Sequence, residues 1–181
     1  GCGKTTLLKT IARLLPPLGG SAVPGTGVIV GYYDQEMRDL PSSWTVLDVV
    51  RELDPTLLDG EARDFLALFD FRGDEVEQRV ATLSGGEKKK VCIATVLVNN
   101  PDVLLLDEPS AGLDPRTQLW LIELLQELGG AGKTVITATH DLEIIDQISR
   151  RAIVMGEDHR VKTDGKAEAV LSDYELLLSS N

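Results

Sequence analysis

Apolar residues fall into two patterns along this chain, and the two alternate. Between Lys4 and Leu15, Leu7, Leu8, Ile11, Leu14 and Leu15 recur at intervals of three and four. That spacing predicts an amphipathic helix, which Pro16-Pro17 ends because a proline cannot continue the ladder. Gly19, Gly20, Pro24 and Gly25 then mark a loop from Leu18 to Thr26, before Val28-Ile29-Val30-Gly31-Tyr32-Tyr33 reads as a strand that delivers Asp34 and Gln35 into a turn. Two short helices follow, Thr45 to Leu53 and Glu61 to Phe69, and a longer one runs from an N-cap at Ser84 to about Val98.

Val103-Leu104-Leu105-Leu106 breaks with these rhythms, being apolar without interruption. Such a run predicts a strand covered on both faces, the habit of central parallel strands. It stops at Asp107 and Glu108. Beyond it come a helix from Arg116 to Leu128 stopped by Gly129-Gly130, a strand from Thr134 to Ala138 leading to Thr139-His140-Asp141, and a helix from Leu142 to Ile148. A strand from Ala152 to Met155 and a short helix near Tyr174 to Leu178 close the chain. Strand and helix alternate, which predicts one α/β domain: a mainly parallel sheet flanked by helices, with a small helical lobe, about residues 40–100, inserted in it.

Composition narrows the class. The 181 residues, 43% of them hydrophobic, suffice for a substantial core. Nowhere do about 18 apolar residues run together, so the sequence holds no membrane-spanning helix, and any membrane role falls to a partner. Two cysteines, Cys2 and Cys92, supply no disulfide framework and suit a reducing compartment. Eighteen basic against 29 acidic residues give a formal charge of −11, which argues against a dedicated nucleic-acid surface and for no direct DNA binding. Lys88-Lys89-Lys90 is the densest basic cluster, and a lysine triplet on a helix is commonly a solvated face. The chain opens inside a glycine-rich loop and reads as a fragment.

Three places carry candidate chemistry. Gly3-Lys4-Thr5 at a helix start resembles the end of a phosphate-binding loop, where backbone N–H groups and the helix dipole hold phosphate oxygens, Lys4 reaches the outer phosphates and the Thr5 hydroxyl holds Mg²⁺. Asp107 and Glu108 sit at a strand's carboxyl end, where ligands bind in open α/β sheets. The pair either closes the strand as a turn or works as a site, one acid holding a metal and the other activating water. Leu83-Ser84-Gly85-Gly86-Glu87 is a capped helix start with exposed N–H groups, hence a second anion-binding surface or an ordinary cap.

Ser84 and Asp107 stand 23 positions apart, with the phosphate loop upstream and Ala138-Thr139-His140-Asp141 downstream. In that order the segments resemble the ATPase cassette of the ATP-binding cassette (ABC) superfamily, over essentially the whole chain. The resemblance implies a P-loop fold, ATP and Mg²⁺ as ligands, and roles for named residues. Gly1, Cys2, Gly3, Lys4, Thr5 and Thr6 match the Walker A segment, and Gln35 the Q-loop glutamine at the metal and the attacking water. Ser84, Gly85, Gly86 and Glu87 match the signature that caps ATP held by a second cassette. Asp107 matches the Walker B metal ligand, Glu108 the catalytic carboxylate, Ser110 to Asp114 the D-loop, and His140 the switch histidine. The implied active form is a head-to-tail pair enclosing two nucleotides.

Two branches of the superfamily share these features. Gly31-Tyr32-Tyr33-Asp34-Gln35 and the run Phe65 to Phe71 are similar to soluble F-type cassettes that act on ribosomes as translation factors. Asp107 to Arg116, Trp120 to Leu125 and the segment from Asp164 to Leu178 are similar to transporter cassettes, the tail to the ATPase subunits of energy-coupling importers. The D-loop and the acidic balance favour an ATPase subunit that powers transport through a separate membrane permease, cytoplasmic and peripheral at the inner face of the cell membrane. The ribosome-acting ATPase is the alternative, and a non-catalytic remnant a second one.

Overall fold

β2 (Val103–Asp107) lies in the middle of a three-stranded parallel sheet, between β1 (Val30–Tyr33) and β3 (Thr134–Ala138). Tyr32 registers with Leu105 and Leu105 with Ile136, so the three strands end together. This is a computed structural model, and it describes residues 2–34 and 40–173. Side chains alternate across the pleat. Leu105 points to one face, where Leu8 of α1 (Lys4–Ile11) and Ala138 bury it; Leu104 and Leu106 point to the other, into the main core with Val91, Leu121 and Leu125. The uninterrupted apolar run is therefore explained as expected: both faces of β2 are covered.

The main core is shared by α4 (Gly85–Leu97), which packs on β1, and α5 (Pro115–Gly130), which packs on β3. It continues without a break into α2 (Val46–Leu53), α3 (Asp59–Ala67) and two 3-10 turns, Gly73–Glu77 and Val80–Thr82. A capping box starts α2, Thr45 and Asp48 each bonding the other's backbone N–H. Phe69 joins the helical region to α5, its ring 5.1 Å from that of Phe65 and 5.9 Å from that of Trp120. Lys90 lies over the Trp120 ring at 4.7 Å and also pairs with Asp70.

Several boundaries differ from the sequence expectation. α1 ends at Ile11, because Arg13 takes a left-handed turn (φ 61°) and leaves Leu14 and Leu15 exposed. α5 runs through Gly129-Gly130, and the chain turns at Gly132 (φ 86°), the left-handed position that terminates helices. β4 (Arg151–Met155) follows α6 (Leu142–Ile148), but it does not extend the parallel ladder among the described residues. It pairs antiparallel with β5 (Val161–Lys166), a strand absent from the sequence expectation, and Arg151 grips Asp164 across the pair at 2.7 Å. α7 (Ala167–Leu171) packs on this hairpin. The helix expected near Tyr174 lies outside the described residues. Among those described, no helix is long and apolar enough to cross a membrane.

Candidate functional site

β2 and β3 finish side by side, and the first residue past β2 is Glu108. Its backbone is left-handed (φ 47°), a conformation unfavourable for a side-chain-bearing residue unless its surroundings impose it. Here they do: its N–H donates to the Ala138 carbonyl at 2.8 Å, and its own carbonyl accepts from the Ala111 N–H at 3.2 Å. The turn aims the carboxylate at the end of β3. Oε2 accepts from the Thr139 hydroxyl at 3.1 Å and the His140 N–H at 3.4 Å, and lies 2.9 Å from His140 Nδ1. Oε1 lies 3.7 Å from Lys4 Nζ, which also donates to the Thr139 carbonyl at 3.4 Å. Lys4 thus carries the start of α1 to the same edge.

These contacts set the charge. Burial pushes the Glu108 carboxyl up, but hydrogen bonds from His140 and Thr139 and the charges of His140 and Lys4 outweigh it, and the group titrates below the ordinary carboxylate range. Glu108 is therefore an acceptor at neutral pH. Its side chain is 12% exposed while that of His140 is 75% exposed, so the imidazole covers the carboxylate from the solvent side.

Asp107 is a different kind of acid. It is 1% exposed, and among the described residues neither carboxylate oxygen has a hydrogen-bond partner. An unpartnered buried carboxylate is unfavourable by several kcal/mol on the usual scale, roughly 1–3 for a neutral group and more for a charged one. A hard cation that takes oxygen ligands would resolve it. Thr5, exposed in the first turn of α1, carries a further oxygen donor. Gly3 leads into that turn with φ 94°, a position suited to glycine, and the first N–H groups of α1 follow it. The turn between β4 and β5 brings His159 close to Gly3.

A second locus forms at the start of α4. Ser84 is exposed and caps the helix: its hydroxyl accepts from the Glu87 N–H at 3.3 Å, and the Glu87 carboxylate accepts from the Ser84 N–H at 2.7 Å. Gly86 faces α5 so closely that a Cβ there would stand 2.8 Å from Thr117 Oγ1 and 3.3 Å from Asp114 Oδ2. Asp114 in turn caps α5, accepting from the Arg116 and Thr117 N–H groups at 3.0 and 3.1 Å and from the Thr117 hydroxyl at 2.6 Å. Lys89, whose pKa burial pushes down, donates to the Ala111 carbonyl.

Of the residues expected from sequence, Lys4, Glu108 and His140 meet directly, with Asp107 adjacent in the chain. Cys2, Gly3, Thr5 and Thr6 surround the start of α1, and Ser84 to Glu87 adjoin Asp114. Among the described residues no hydrogen bond or ion pair runs directly from the side chains of Lys4, Glu108 or His140 to Ser84–Glu87 or Asp114; the two loci connect through Ala111, which accepts from Lys89 and donates to the Glu108 carbonyl. Gly1 and Gln35 lie outside the described residues. Sequence reasoning missed Thr139, Lys89 and Thr117. Thr139 had a signal, since it precedes His140 at a strand end; the other two act through contacts that only the fold creates.

The profile of the ABC transporter family matches residues 1–111. A protein of Methanosarcina acetivorans named as an ABC transporter ATP-binding protein is 77% identical over 100 residues, 55% of this chain and 36% of its own length. A protein of Caldanaerobacter subterraneus with the same description is 37% identical over 206 aligned positions, covering 100% of this chain and 83% of that one. The chain therefore spans little more than a third of the first relative. A solved dimeric ATP-binding cassette in a post-hydrolysis state, bound to ADP and Pi, superposes with a TM-score of 0.76 at 25% identity, over 92% of this chain and 81% of that one.

Proposed function

The chain belongs to the ABC transporter family of ATPase domains, and we propose that it is the ATP-hydrolysing engine of a transporter whose membrane permease is a separate protein. The observation that carries the reading is the meeting of Lys4, Glu108, Thr139 and His140 where β2 and β3 end. In phosphoryl transfer to water, positioning and charge stabilisation do most of the work. Glu108, ionised and largely shielded from solvent, accepts the proton of the attacking water. Lys4 supplies positive charge to the outer phosphates, and the exposed His140, bonded to Glu108, supplies a second donor. The first N–H groups of α1, after Gly3, cradle the phosphate oxygens beside Cys2 and Thr6.

Asp107 and Thr5 would hold magnesium, with Gln35 as a third ligand, and the ion when bound offsets charge on the phosphates. The fit rests on the two unpartnered oxygens of Asp107. Ser84 and Gly85 are exposed and lie apart from Lys4, with Gly86 packed on α5 behind them and Glu87 closing the cap; in this reading Ser84, Gly85, Gly86 and Glu87 complete the nucleotide site of a second cassette in a head-to-tail pair, with Asp114 behind them. The protein then works at the inner face of the membrane through its permease. The relatives' transporter descriptions and the transporter-like D-loop support this over ribosome action.

The test uses the full-length protein. Lys4→Ala should lose ATP affinity by roughly tenfold or more, on the scale of a charge-assisted contact, and the unaltered protein should co-purify with a membrane permease. Co-sedimentation with ribosomes, or unchanged nucleotide affinity, would overturn the reading.

A further inference from the structure

Two buried polar groups on neighbouring strands lack partners on the same face of the sheet. Tyr32 registers with Leu105, and Asp107 lies two residues beyond Leu105 on β2, so the side chains of Tyr32 and Asp107 project to the same side of the pleat. Tyr32 packs there against the small cluster of Leu8, Leu105 and Ala138. Its hydroxyl is buried, and among the described residues it has no hydrogen-bond partner; the same holds for both oxygens of Asp107. Asp107 is thus a diagonal neighbour of Tyr32 on the adjoining strand, a separation within reach of a long aromatic side chain, and Asp34 follows Tyr33 at the end of β1. Asp34 itself is drawn to Lys9 on α1 at 3.1 Å.

A phenol O–H and a carboxylate satisfy each other, and their shared desolvation makes the bond worth more than it would be in water. We propose that Tyr32 is a positioning residue for the cation site: its O–H donates to one oxygen of Asp107 and fixes the orientation in which the other oxygen meets a hard divalent cation. The role rests on the reading of Asp107 as a metal holder. It gives Tyr32 the task that carboxylates and carbonyls perform behind many metal ligands, where loss of the outer partner weakens metal binding by roughly 10–100-fold.

Tyr33 provides an internal control. Its hydroxyl is also buried without a partner among the described residues, but its ring lies in the core on the opposite face, with Leu104 and Leu106. Mn²⁺, which takes the same oxygen ligands as Mg²⁺, is titrated onto the full-length protein loaded with ADP, and free Mn²⁺ is read by electron paramagnetic resonance. Tyr32→Phe should raise the Mn²⁺ dissociation constant about 10-fold, with ADP affinity in the absence of metal unchanged. Tyr33→Phe should leave both unchanged. An Mn²⁺ affinity for Tyr32→Phe equal to or tighter than that of the unaltered protein overturns the proposal, and so does an equal loss in the two tyrosine variants. Asp107→Asn separates the layers. If it abolishes tight Mn²⁺ binding while Tyr32→Phe has no effect, only the role of Tyr32 falls; if Asp107→Asn has no effect, the cation site falls with it.

Discussion

Neighbouring glycines at the start of α4 should respond in opposite ways to the same added methyl group. At Gly85 a Cβ would meet nothing within 4 Å, and φ is not positive. Alanine there removes freedom from the unfolded chain at no steric expense, a gain of about 0.4–1 kcal/mol. At Gly86 the methyl would stand 2.8 Å from Thr117 Oγ1 and 3.5 Å from Thr117 Cγ2. Thr117 cannot turn aside easily, since it is buried and its hydroxyl is bonded to Asp114 at 2.6 Å. Forcing a methyl into a packed contact costs about 1–3 kcal/mol. Set against the same gain, Gly86→Ala should be destabilised by up to about 2.6 kcal/mol, with a midpoint of about 1.3. Thermal unfolding reads the difference, at about 2–4 °C per kcal/mol for a domain of this size: Gly85→Ala should melt higher than the unaltered protein and Gly86→Ala lower. If Gly86→Ala were as stable as Gly85→Ala, the packing of α4 on the start of α5 would be wrong. Turnover adds a second reading. Should Ser84 to Glu87 cap a nucleotide on a second cassette, Gly85→Ala gains stability yet loses ATPase activity, and unchanged activity would refute that placement.

Glu108→Gln should retain nucleotide binding while single-turnover phosphate release falls by about 10²–10⁴-fold, the share of a general base; release at the unaltered rate would remove Glu108 from that role. Glu87 and Asp48 are both held below the ordinary carboxylate range, Glu87 by the Ser84 hydroxyl and N–H, Asp48 by the Thr45 N–H and hydroxyl. Depressed values mean stability that is present above the unfolded pKa values, about 4.3 and 3.9, and lost as pH falls through the folded ones. Urea midpoints should therefore drop as acid is added below about pH 4, and Glu87→Gln should flatten that drop. Phe69→Ala removes a ring that is 1% exposed and wedged between Phe65 and Trp120, and urea denaturation should show a loss of about 3–5 kcal/mol.

How much of this was legible beforehand varies with the kind of residue. The run at Val103 to Leu106 announced a covered strand, and the acids after it announced where that strand stops, because burial on both faces and a charged stop each leave a mark on one short stretch. The left-handed backbone of Glu108 left none, since it is imposed by Ala138 and Ala111 from other segments. β5 escaped notice because Val161 to Lys166 is largely polar and exposed, and is held as a strand by its ladder and the Arg151–Asp164 pair. Leu14 and Leu15 extended the helical period past the true end of α1, where a single left-handed residue overrode it. Lys89 read as one of three solvated lysines, although the fold turns it onto the Ala111 carbonyl.

That last bond has a mechanical consequence. Ala111 accepts from Lys89 on one side and donates to the Glu108 carbonyl on the other, so two hydrogen bonds in series link the shaft of α4 to the backbone of the acid. A rocking of α4 by any load on the helical region would arrive at Glu108 as a tug on its peptide rather than be absorbed in a slack loop. The carboxylate would then register force from the far end of the molecule.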